Sequence, residues 1–353
     1  MSLRAQFPIC ERLAFLNAGS DGPVPARAVE AVRDEIARQA EEGRAEAYFT
    51  RRGDLRSEQR QAYAALLGCP PEDLSLTTCT TEGIATVCAG FGRGDRIVTS
   101  DEEHPGVYGP LGQARRRGAE VTAVPFDRVH EAADAATAAV VCSHVSWLSG
   151  AFAPRELAAL DVPVILDGAQ GVGAVPVDVE ALGCAAYAGS GQKWLCGPDG
   201  SGMLYVSPGY RDRVPAVVPS YWNLSEPAAG MESPFHPDGR AWDSAGLSGE
   251  TSRFVLESLA VIEEAGWGNV HREGPQLAAR LASALEERGR SIRPRGATTL
   301  VSWDDDDPAA SKARLRETGI VIRDLPRMPL LRASVGAWND EGDVERLLAA
   351  ISS

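Results

Sequence analysis

A carboxylate and a lysine stand directly after two neighbouring apolar runs of the sequence. Asp167 ends the run Val162–Leu166, and Lys193 follows the run Ala185–Ala188 after four short or polar residues. Residues just beyond the carboxyl ends of strands line the ligand crevice of an α/β sheet. If both runs are strands, the two side chains face one crevice, and the 26 positions that separate them suffice for a connecting helix or loop.

This pair of side chains suits a pyridine-based cofactor. A lysine amine forms a Schiff base with an aldehyde when its pKa is lowered and its position is fixed. A pyridine ring withdraws electrons best while its nitrogen is protonated, and a buried carboxylate beside that nitrogen favours the protonated form. Small residues around Lys193 would let the backbone approach a ring and a phosphate closely.

Each of these residues also has an ordinary explanation when taken alone. A lysine after glycine-rich sequence is usually a surface residue, and an aspartate at a strand end often caps a helix. Gly171-Val172-Gly173 resembles part of a dinucleotide-binding fingerprint, but no third glycine follows at the required offset. An NAD-dependent oxidoreductase is therefore disfavoured, while a non-catalytic binding protein on the same fold stays open.

The middle of the chain predicts a mostly parallel sheet with helices on both faces. Short apolar runs alternate there with helical stretches, and several runs are apolar throughout, as in strands that are buried on both faces. The predicted strands are Leu74–Thr77, Ile97–Thr99, Val121–Pro125, Ala138–Cys142, Val162–Leu166, Ala185–Ala188 and Met203–Val206.

Helices and a smaller α/β region flank this sheet. The first helix, Ala26–Glu42, has Val29, Val32 and Ile36 on one face, which we expect to be buried. The other predicted elements are a helix Leu55–Leu67, a large loop Pro227–Gly249, helices Ser252–Glu264 and Pro275–Glu287, a strand Thr299–Trp303, a helix Ala309–Glu317, strands Ile320–Arg323 and Leu331–Val335, and a helix Glu341–Ile351. This pattern predicts an N-terminal segment (1–25), a large domain (26–250) and a small C-terminal domain (251–353).

Composition narrows the class of protein. The 353 residues include 35 lysines and arginines against 49 aspartates and glutamates, a net charge of −14, which disfavours nucleic-acid binding. No apolar run is long enough for a membrane span, and the N-terminus does not look like a signal peptide. Seven scattered cysteines without a CxxC pair indicate cytoplasmic thiols and no structural zinc site.

Several motifs together resemble the class V aminotransferases, the cysteine-desulfurase-like family of pyridoxal-phosphate enzymes. These motifs are Asp167-Gly168-Ala169-Gln170, Lys193 within SGQKWLCGP, Thr80-Thr81-Glu82-Gly83, LNAGSDGPVP near the start and LRASVGAWN near the end. The resemblance implies the aspartate-aminotransferase-like fold of type I, an amino-acid substrate, and a homodimer with active sites at the subunit interface.

The resemblance also implies roles for individual residues. Lys193 would form the Schiff base and later carry the α-proton, Asp167 would face the pyridinium nitrogen, and His104 would stack on the ring. Gln170 would bond the phenolic oxygen of the cofactor, Arg332 would pair with the substrate α-carboxylate, and Arg323 and Arg327 are alternatives to it. Further phosphate and substrate contacts would come from Thr80, Thr81, Ser190, Gln192, Asn17, Ala18 and His144.

Departures from the family pattern bear on the reaction. The stretch before Arg332, RDLPRMPLLR, has no cysteine, so desulfuration through a protein persulfide is disfavoured. His144 in CSHVSWLSG is more similar to the cystine C–S lyase and isopenicillin-epimerase branches than to the desulfurases. Trp242–Ser248 departs from the family's aromatic-Glu-x-Gly-Thr segment, which reaches the neighbouring subunit's phosphate. β-Elimination, transamination and epimerisation all stay open as the reaction. The residues of the side-chain pocket also stay open, and the candidates are Trp147, Tyr221, Trp222 and His236.

Overall fold

The computed structural model describes residues 2–351, and the order of its elements follows the predicted alternation of strands and helices. The strands are β1 (Ala14–Phe15), β2 (Leu74–Thr77), β3 (Arg96–Ser100), β4 (Glu120–Val124), β5 (Thr137–Ser143), β6 (Val164–Asp167), β7 (Ala186–Ser190), β8 (Gly202–Val206), β9 (Leu300–Asp304), β10 (Ile320–Val321), β11 (Arg323–Asp324) and β12 (Leu330–Ser334). The helices are α1 (Ala26–Glu42), α2 (Glu46–Leu67), α3 (Thr80–Cys88), α4 (Pro105–Arg116), α5 (Gly249–Ala265), α6 (Trp267–Glu287), α7 (Pro308–Glu317) and α8 (Glu341–Ile351).

The large sheet has seven strands in the order β2-β8-β7-β6-β5-β3-β4. Strand β8 runs antiparallel to both of its neighbours, and the other six strands run in one direction. Strands β2, β6, β7 and β8 are buried throughout, which explains their apolar sequences. The carboxyl ends of β2, β3, β5, β6 and β7 therefore meet at one edge, as the sequence predicted.

The buried face of α1 differs from the prediction. Ala28, Ala31, Glu35 and Gln39 are its buried residues, whereas Ile36 is 52% exposed. The small alanines let α1 pack against α5, and the Glu35 carboxylate is neutralised by a bidentate contact with Arg51. Of the three residues of the predicted face, Ile36 is exposed, while Val29 and Val32 are half-buried.

Helix α2 begins nine residues before the predicted start, at Glu46 instead of Leu55. In its first two turns Tyr48 and Phe49 stand next to each other among mostly polar residues, and apolar periodicity begins only at Leu55, so the pattern did not reveal these turns. The predicted large loop is present as irregular chain with two short 3₁₀ turns, Pro227–Glu232 and Gly239–Trp242, before α5 begins at Gly249.

The C-terminal region has its own small sheet and core. Strands β11, β12 and β9 form an antiparallel sheet, and β1 pairs in parallel with β10. Helix α6 packs on α8 and β9, while α5 packs against α1 and α2. The domain boundary at residue 250 stays a prediction. Among residues 2–351, no helix is long and apolar enough to span a membrane.

Candidate active site

A cavity of about 210 Å³ lies at the edge where the parallel strands end. Its lining combines residues at or after the ends of five strands of the large sheet with two arginines of the small sheet and the N-terminal loop. The lining residues are Gly19, Ser20, Cys79, Thr80, Thr81, His104, Trp147, Asp167, Ala169, Gln170, Ser190, Gln192, Lys193, Arg323 and Arg332. The predicted meeting of Lys193 and Asp167 in one crevice is therefore present.

Lys193 and Asp167 shift each other's protonation in opposite senses. Burial lowers the pKa of Lys193 to about 8, and the nearby Asp167 charge partly offsets this effect. Burial raises the pKa of Asp167, while the charge of Lys193 and a 2.9 Å hydrogen bond from the Ala169 N–H favour its ionised form. A lysine that is readily deprotonated beside a buried carboxylate is the arrangement that amine chemistry on an aldehyde cofactor requires.

The N-terminus of α3 meets the end of β7 at one side of the cavity. The Ser190 hydroxyl lies 2.5 Å from the Thr80 hydroxyl and accepts a 3.2 Å bond from the Thr80 N–H. Cys79 is the N-cap residue of α3 but makes no side-chain cap, so the hydroxyls of Thr80 and Thr81 are not used as an ordinary cap. Free N–H groups and hydroxyls at a helix N-terminus suit a phosphate dianion.

His104 and Trp147 form an aromatic wall on one side of the cavity. The His104 ring meets Trp147 edge-on at 5.1 Å and 87°, and its Nδ1 accepts a 3.0 Å bond from the Gly106 N–H at the start of α4. Burial and the nearby charges of Lys193, Arg323 and Arg332 lower the pKa of His104 to about 4. The imidazole is thus neutral at neutral pH, and stacking on a cofactor ring stays a prediction.

Arg332 and Arg323 give the cavity two cationic side chains. Arg332 on β12 is 1% exposed and donates a 2.6 Å bond to the Trp147 carbonyl, while its Nε has no partner within residues 2–351. Burial and the charge of Arg323 lower the pKa of Arg332 to about 9, so it remains charged at neutral pH. Arg323 donates a 2.9 Å bond to Ser20. In the described chain neither guanidinium pairs with a carboxylate.

Gln170 connects the cavity to the N-terminal loop. Its amide nitrogen donates to the Gly19 carbonyl at 2.8 Å, and its amide oxygen accepts from Trp194 at 3.0 Å. The loop runs so close to Lys193 that a Cβ at Gly22 would collide with the Lys193 carbonyl. Of the predicted loop residues, Gly19 and Ser20 line the cavity, whereas Asn17 and Ala18 lie just before them and do not.

His144 does not line this cavity, contrary to the position predicted for it. Its Nδ1 lies 3.1 Å from the Tyr187 hydroxyl, and its ring packs near Phe152 at the edge of another cavity. The His144 side chain turns toward Tyr187, while the side chain of the preceding residue, Ser143, bonds to Glu103. Trp147 does line the cavity. Tyr221, Trp222 and His236 do not, and Trp222 instead stacks under Arg56 at 4.5 Å.

Glu103 lies next to the site but was not among the residues predicted from the sequence. Its carboxylate is 2% exposed and bonds to Ser100 and Ser143 at 2.6 Å each, behind the cavity wall. The sequence offered one indication of a role for Glu103, its position immediately before His104 in DEEH. Adjacent acidic residues, however, usually belong to a solvated loop. Arg323 was foreseen only as an alternative to Arg332, and the structure brings both into the cavity.

The residues present fit pyridoxal phosphate. The donors at Thr80, Thr81 and Ser190 suit its phosphate, Asp167 its ring nitrogen and Lys193 its aldehyde. The Gln192 amide oxygen and the Arg332 Nε are buried without a partner inside the described chain, and buried polar groups normally have one. A bound ligand with both donors and acceptors would satisfy them.

Comparisons with known proteins agree with this fit. The family model for class-V aminotransferases matches residues 15–347. The chain is 26% identical to isopenicillin N epimerase of Streptomyces clavuligerus, over 96% of this chain and 94% of that protein. It is 31% identical to a probable cysteine desulfurase of Mycobacterium leprae, over 99% and 95%.

Solved structures show the same fold. A complex of the cystine C–S lyase C-DES with its product cysteine persulfide matches with a TM-score of 0.92 and 24% identity, over 99% of each chain. A mutant of C-DES with glycine covalently linked to its pyridoxal-phosphate cofactor matches equally well. The family and the fold predicted from the sequence are thereby confirmed, and the chain belongs to the class-V aminotransferase family.

Proposed function

We propose that this chain is a carbon–sulfur lyase that cleaves a cystine-like amino acid, one with an α-carboxylate and a second, distal carboxylate. The observation that carries the proposal is the pair Arg323 and Arg332, two guanidinium groups in the cavity of Lys193 that have no carboxylate partner among the described residues. A guanidinium binds a carboxylate bidentately, so this cavity offers one cation to each carboxylate. Family membership confirms that the chain is a pyridoxal-phosphate-dependent enzyme.

Each side chain of the cavity has a separate role in the proposed β-elimination. Arg332 holds the α-carboxylate and Arg323 the distal one. Lys193 removes the proton from the α-carbon, which its lowered pKa permits near neutral pH. Bound pyridoxal phosphate supplies the electron sink, and Asp167 keeps its ring nitrogen protonated. Loss of the β-sulfur group then releases a persulfide from a disulfide substrate, and the remaining three-carbon part takes up one water to give pyruvate and ammonia.

The position of the cysteines supports elimination over desulfuration. The turn between β11 and β12, which precedes Arg332, contains no cysteine. Cys79 is the cysteine among the described lining residues, and it lies at the phosphate side of the cavity next to Thr80 and Ser190. A thiol at that side is poorly placed to attack sulfur on a substrate whose carboxylates are held by Arg323 and Arg332.

Epimerisation is the second candidate, because isopenicillin N epimerases are similar to this chain over almost its whole length. Transamination is the third, since it shares the same first proton removal. Both reactions leave the carbon–sulfur bond intact. Product analysis therefore separates them from elimination.

The decisive experiment supplies cystine, cysteine and alanine to the purified holoenzyme in deuterated water, without a keto-acid acceptor. We expect pyruvate and persulfide from cystine, and much less pyruvate from cysteine. A Lys193→Ala variant serves as the control and should give neither. A deuterated D-isomer with no pyruvate would instead identify an epimerase, and turnover that depends on an added keto acid would identify a transaminase.

A homodimer with active sites at the subunit interface is also part of the proposal. The segment 217–235 carries several exposed apolar side chains: Val217, Val218, Tyr221, Met231 and Phe235. Clustered exposed apolar residues are typical of interaction sites. The neighbouring tip, Ala245-Gly246, is exposed as well and is free to reach a partner's site. A cytoplasmic location stays a prediction.

A further inference from the structure

Glu103 is a buried carboxylate that does not line the active-site cavity. It is 2% exposed, and its Oε1 accepts bonds from the Ser100 hydroxyl at 2.6 Å and the Ser143 N–H at 3.0 Å. Its Oε2 accepts a 2.6 Å bond from the Ser143 hydroxyl. Within residues 2–351, no lysine, arginine or histidine forms an ion pair with it. Burying such a charge is costly, so its retention needs a reason.

The position of Glu103 in the chain suggests that reason. It directly precedes His104, whose ring lines the cavity. The serines that bind it end two different strands: Ser100 ends β3 and Ser143 ends β5. The carboxylate therefore ties the loop that carries His104 to two strands at once.

Glu102 ties the same loop to the chain that follows β5. Its carboxylate accepts a 2.8 Å bond from Ser146, and its carbonyl accepts a 2.8 Å bond from the Trp147 indole. Trp147 in turn contacts the His104 ring and holds Arg332 through its carbonyl. Movement of this loop would displace both the aromatic wall and the substrate arginine.

We propose that Glu103 is a positioning residue, whose carboxylate fixes the loop of His104 against β3 and β5 and so holds the imidazole in place for the cofactor ring. The proposal rests on the pyridoxal-phosphate site, not on which reaction follows. Ser143 also pairs with Asp167 across β5 and β6, which places the Glu103 charge behind the carboxylate that serves the ring nitrogen. Glu103 thus positions the group expected to stack on the ring, and its own charge lies near the group expected at the ring nitrogen.

The environment of Glu103 makes its charge dependent on pH near neutrality. Burial raises its pKa to about 7, against the effect of the three hydrogen bonds, and the Asp167 charge raises it further. Cys142 on β5 and Tyr108 on α4 also face it, and burial raises the pKa of both, so they stay neutral below about pH 8.5. Asp101 and Glu102 are the other charged neighbours in the loop.

The test measures cofactor binding and needs no substrate. Apo-protein is titrated with pyridoxal phosphate, and the Kd is read from the quenching of tryptophan fluorescence, for wild type and Glu103→Gln between about pH 5.5 and 8.5. We expect Glu103→Gln to raise the Kd about tenfold at about pH 8, through the loss of charge-assisted hydrogen bonds. The difference should shrink toward the acidic end of this range, where wild-type Glu103 is protonated and resembles glutamine.

Asp73→Asn is the matched control. Asp73 is also a buried carboxylate with a pKa raised by burial, but it pairs with Arg211 beyond the opposite end of the sheet. This variant should bind the cofactor as wild type does, even if its melting temperature falls. If Asp73→Asn weakens the cofactor as much as Glu103→Gln does, or if Glu103→Gln binds normally in mildly alkaline buffer, the proposal is wrong.

Ser143→Ala keeps the test decisive if Glu103→Gln does not fold. It removes one of the three hydrogen bonds and leaves the carboxylate in place, so we expect the Kd to rise about threefold. An unchanged Kd in this variant would overturn the proposal. Because no amino-acid substrate is present, failure here would not affect the proposed lyase activity, and failure of that activity would not affect this result.

Discussion

At the scale of single residues, Lys193 must act both as a nucleophile and as a base. A lysine with an ordinary pKa of about 10.5 is neutral in only about one molecule in a thousand at about pH 7.5. With the pKa lowered to about 8, the neutral fraction is about a quarter. Burial thus supplies most of the reactive amine, and the charge of Asp167 limits how far the pKa falls.

The pH dependence of cofactor incorporation tests this balance. The rate at which apo-protein takes up pyridoxal phosphate should rise with pH and reach half of its maximum near pH 8, because the neutral amine is the attacking form. Removing the Asp167 charge with Asp167→Asn should shift this midpoint downward, since that charge raises the pKa of Lys193. Rapid-mixing absorbance measurements would show both midpoints. A wild-type rate that still climbs about tenfold per pH unit above about pH 9 would contradict the lowered pKa.

The two arginines allow a prediction about substrate selection. Arg323→Gln should raise the KM for cystine roughly 10- to 100-fold, as expected for a lost charge-assisted bond of about 1.5–3 kcal/mol, and leave the KM for cysteine almost unchanged. Arg332→Gln should raise both, because every amino acid has an α-carboxylate. Steady-state pyruvate release measures these values. Equal effects of Arg323→Gln on the two substrates would mean that Arg323 does not bind a distal carboxylate.

At the scale of secondary-structure elements, the site depends on the contact between the start of α3 and the end of β7. Ser190→Ala removes the hydroxyl that joins them, and we expect it to weaken pyridoxal phosphate about tenfold through loss of one or two hydrogen bonds. Ser75→Ala is the control, because Ser75 is also a buried serine, on β2, and its hydroxyl donates to the Gly239 carbonyl away from the cavity. Fluorescence titration of both apo-proteins gives the comparison. Equal weakening in the two variants would argue against a phosphate site at this junction.

Element positions were predictable from the sequence where burial is complete, and less so elsewhere. Leu74–Thr77 and Glu341–Ile351 match β2 and α8 residue for residue, because full burial and clear periodicity allow one interpretation. The apolar face of α1 was misinterpreted, because apolar spacing alone does not show which face packs inside the chain: Val29 and Val32 are only half-buried and Ile36 is exposed. Alanine and an ion-paired Glu35 fill the face that packs inside the chain.

The candidate site was predictable to the extent that strand ends define it. Lys193, Asp167, Thr80, Ser190 and His104 all follow predicted strands, and all line the cavity. His144 also follows a strand, but a change of one position along a strand reverses the direction of a side chain. Arg323 and Glu103 depend on how a small sheet and a loop fold back over the cavity, which local patterns do not encode.

At the scale of the whole molecule, the distribution of apolar surface predicts association. Val218 is 75% exposed and lies in the segment 217–235, whose exposed apolar residues also include Val217 and Tyr221. Val218→Asp should leave the fold of one chain intact, because the side chain contacts little within it, but should weaken self-association at least about tenfold by burying an unpaired charge. Ala158→Asp is the control, since Ala158 is an exposed residue outside this segment. Sedimentation at micromolar concentration should show dimers for wild type and Ala158→Asp and a shift toward monomers for Val218→Asp. Pyruvate release should fall in parallel if each active site needs both chains.

Two outcomes would contradict this prediction. If Val218→Asp sediments as wild type does, the segment 217–235 is not the dimer surface. If Val218→Asp becomes monomeric with full activity, the active site is complete within one chain.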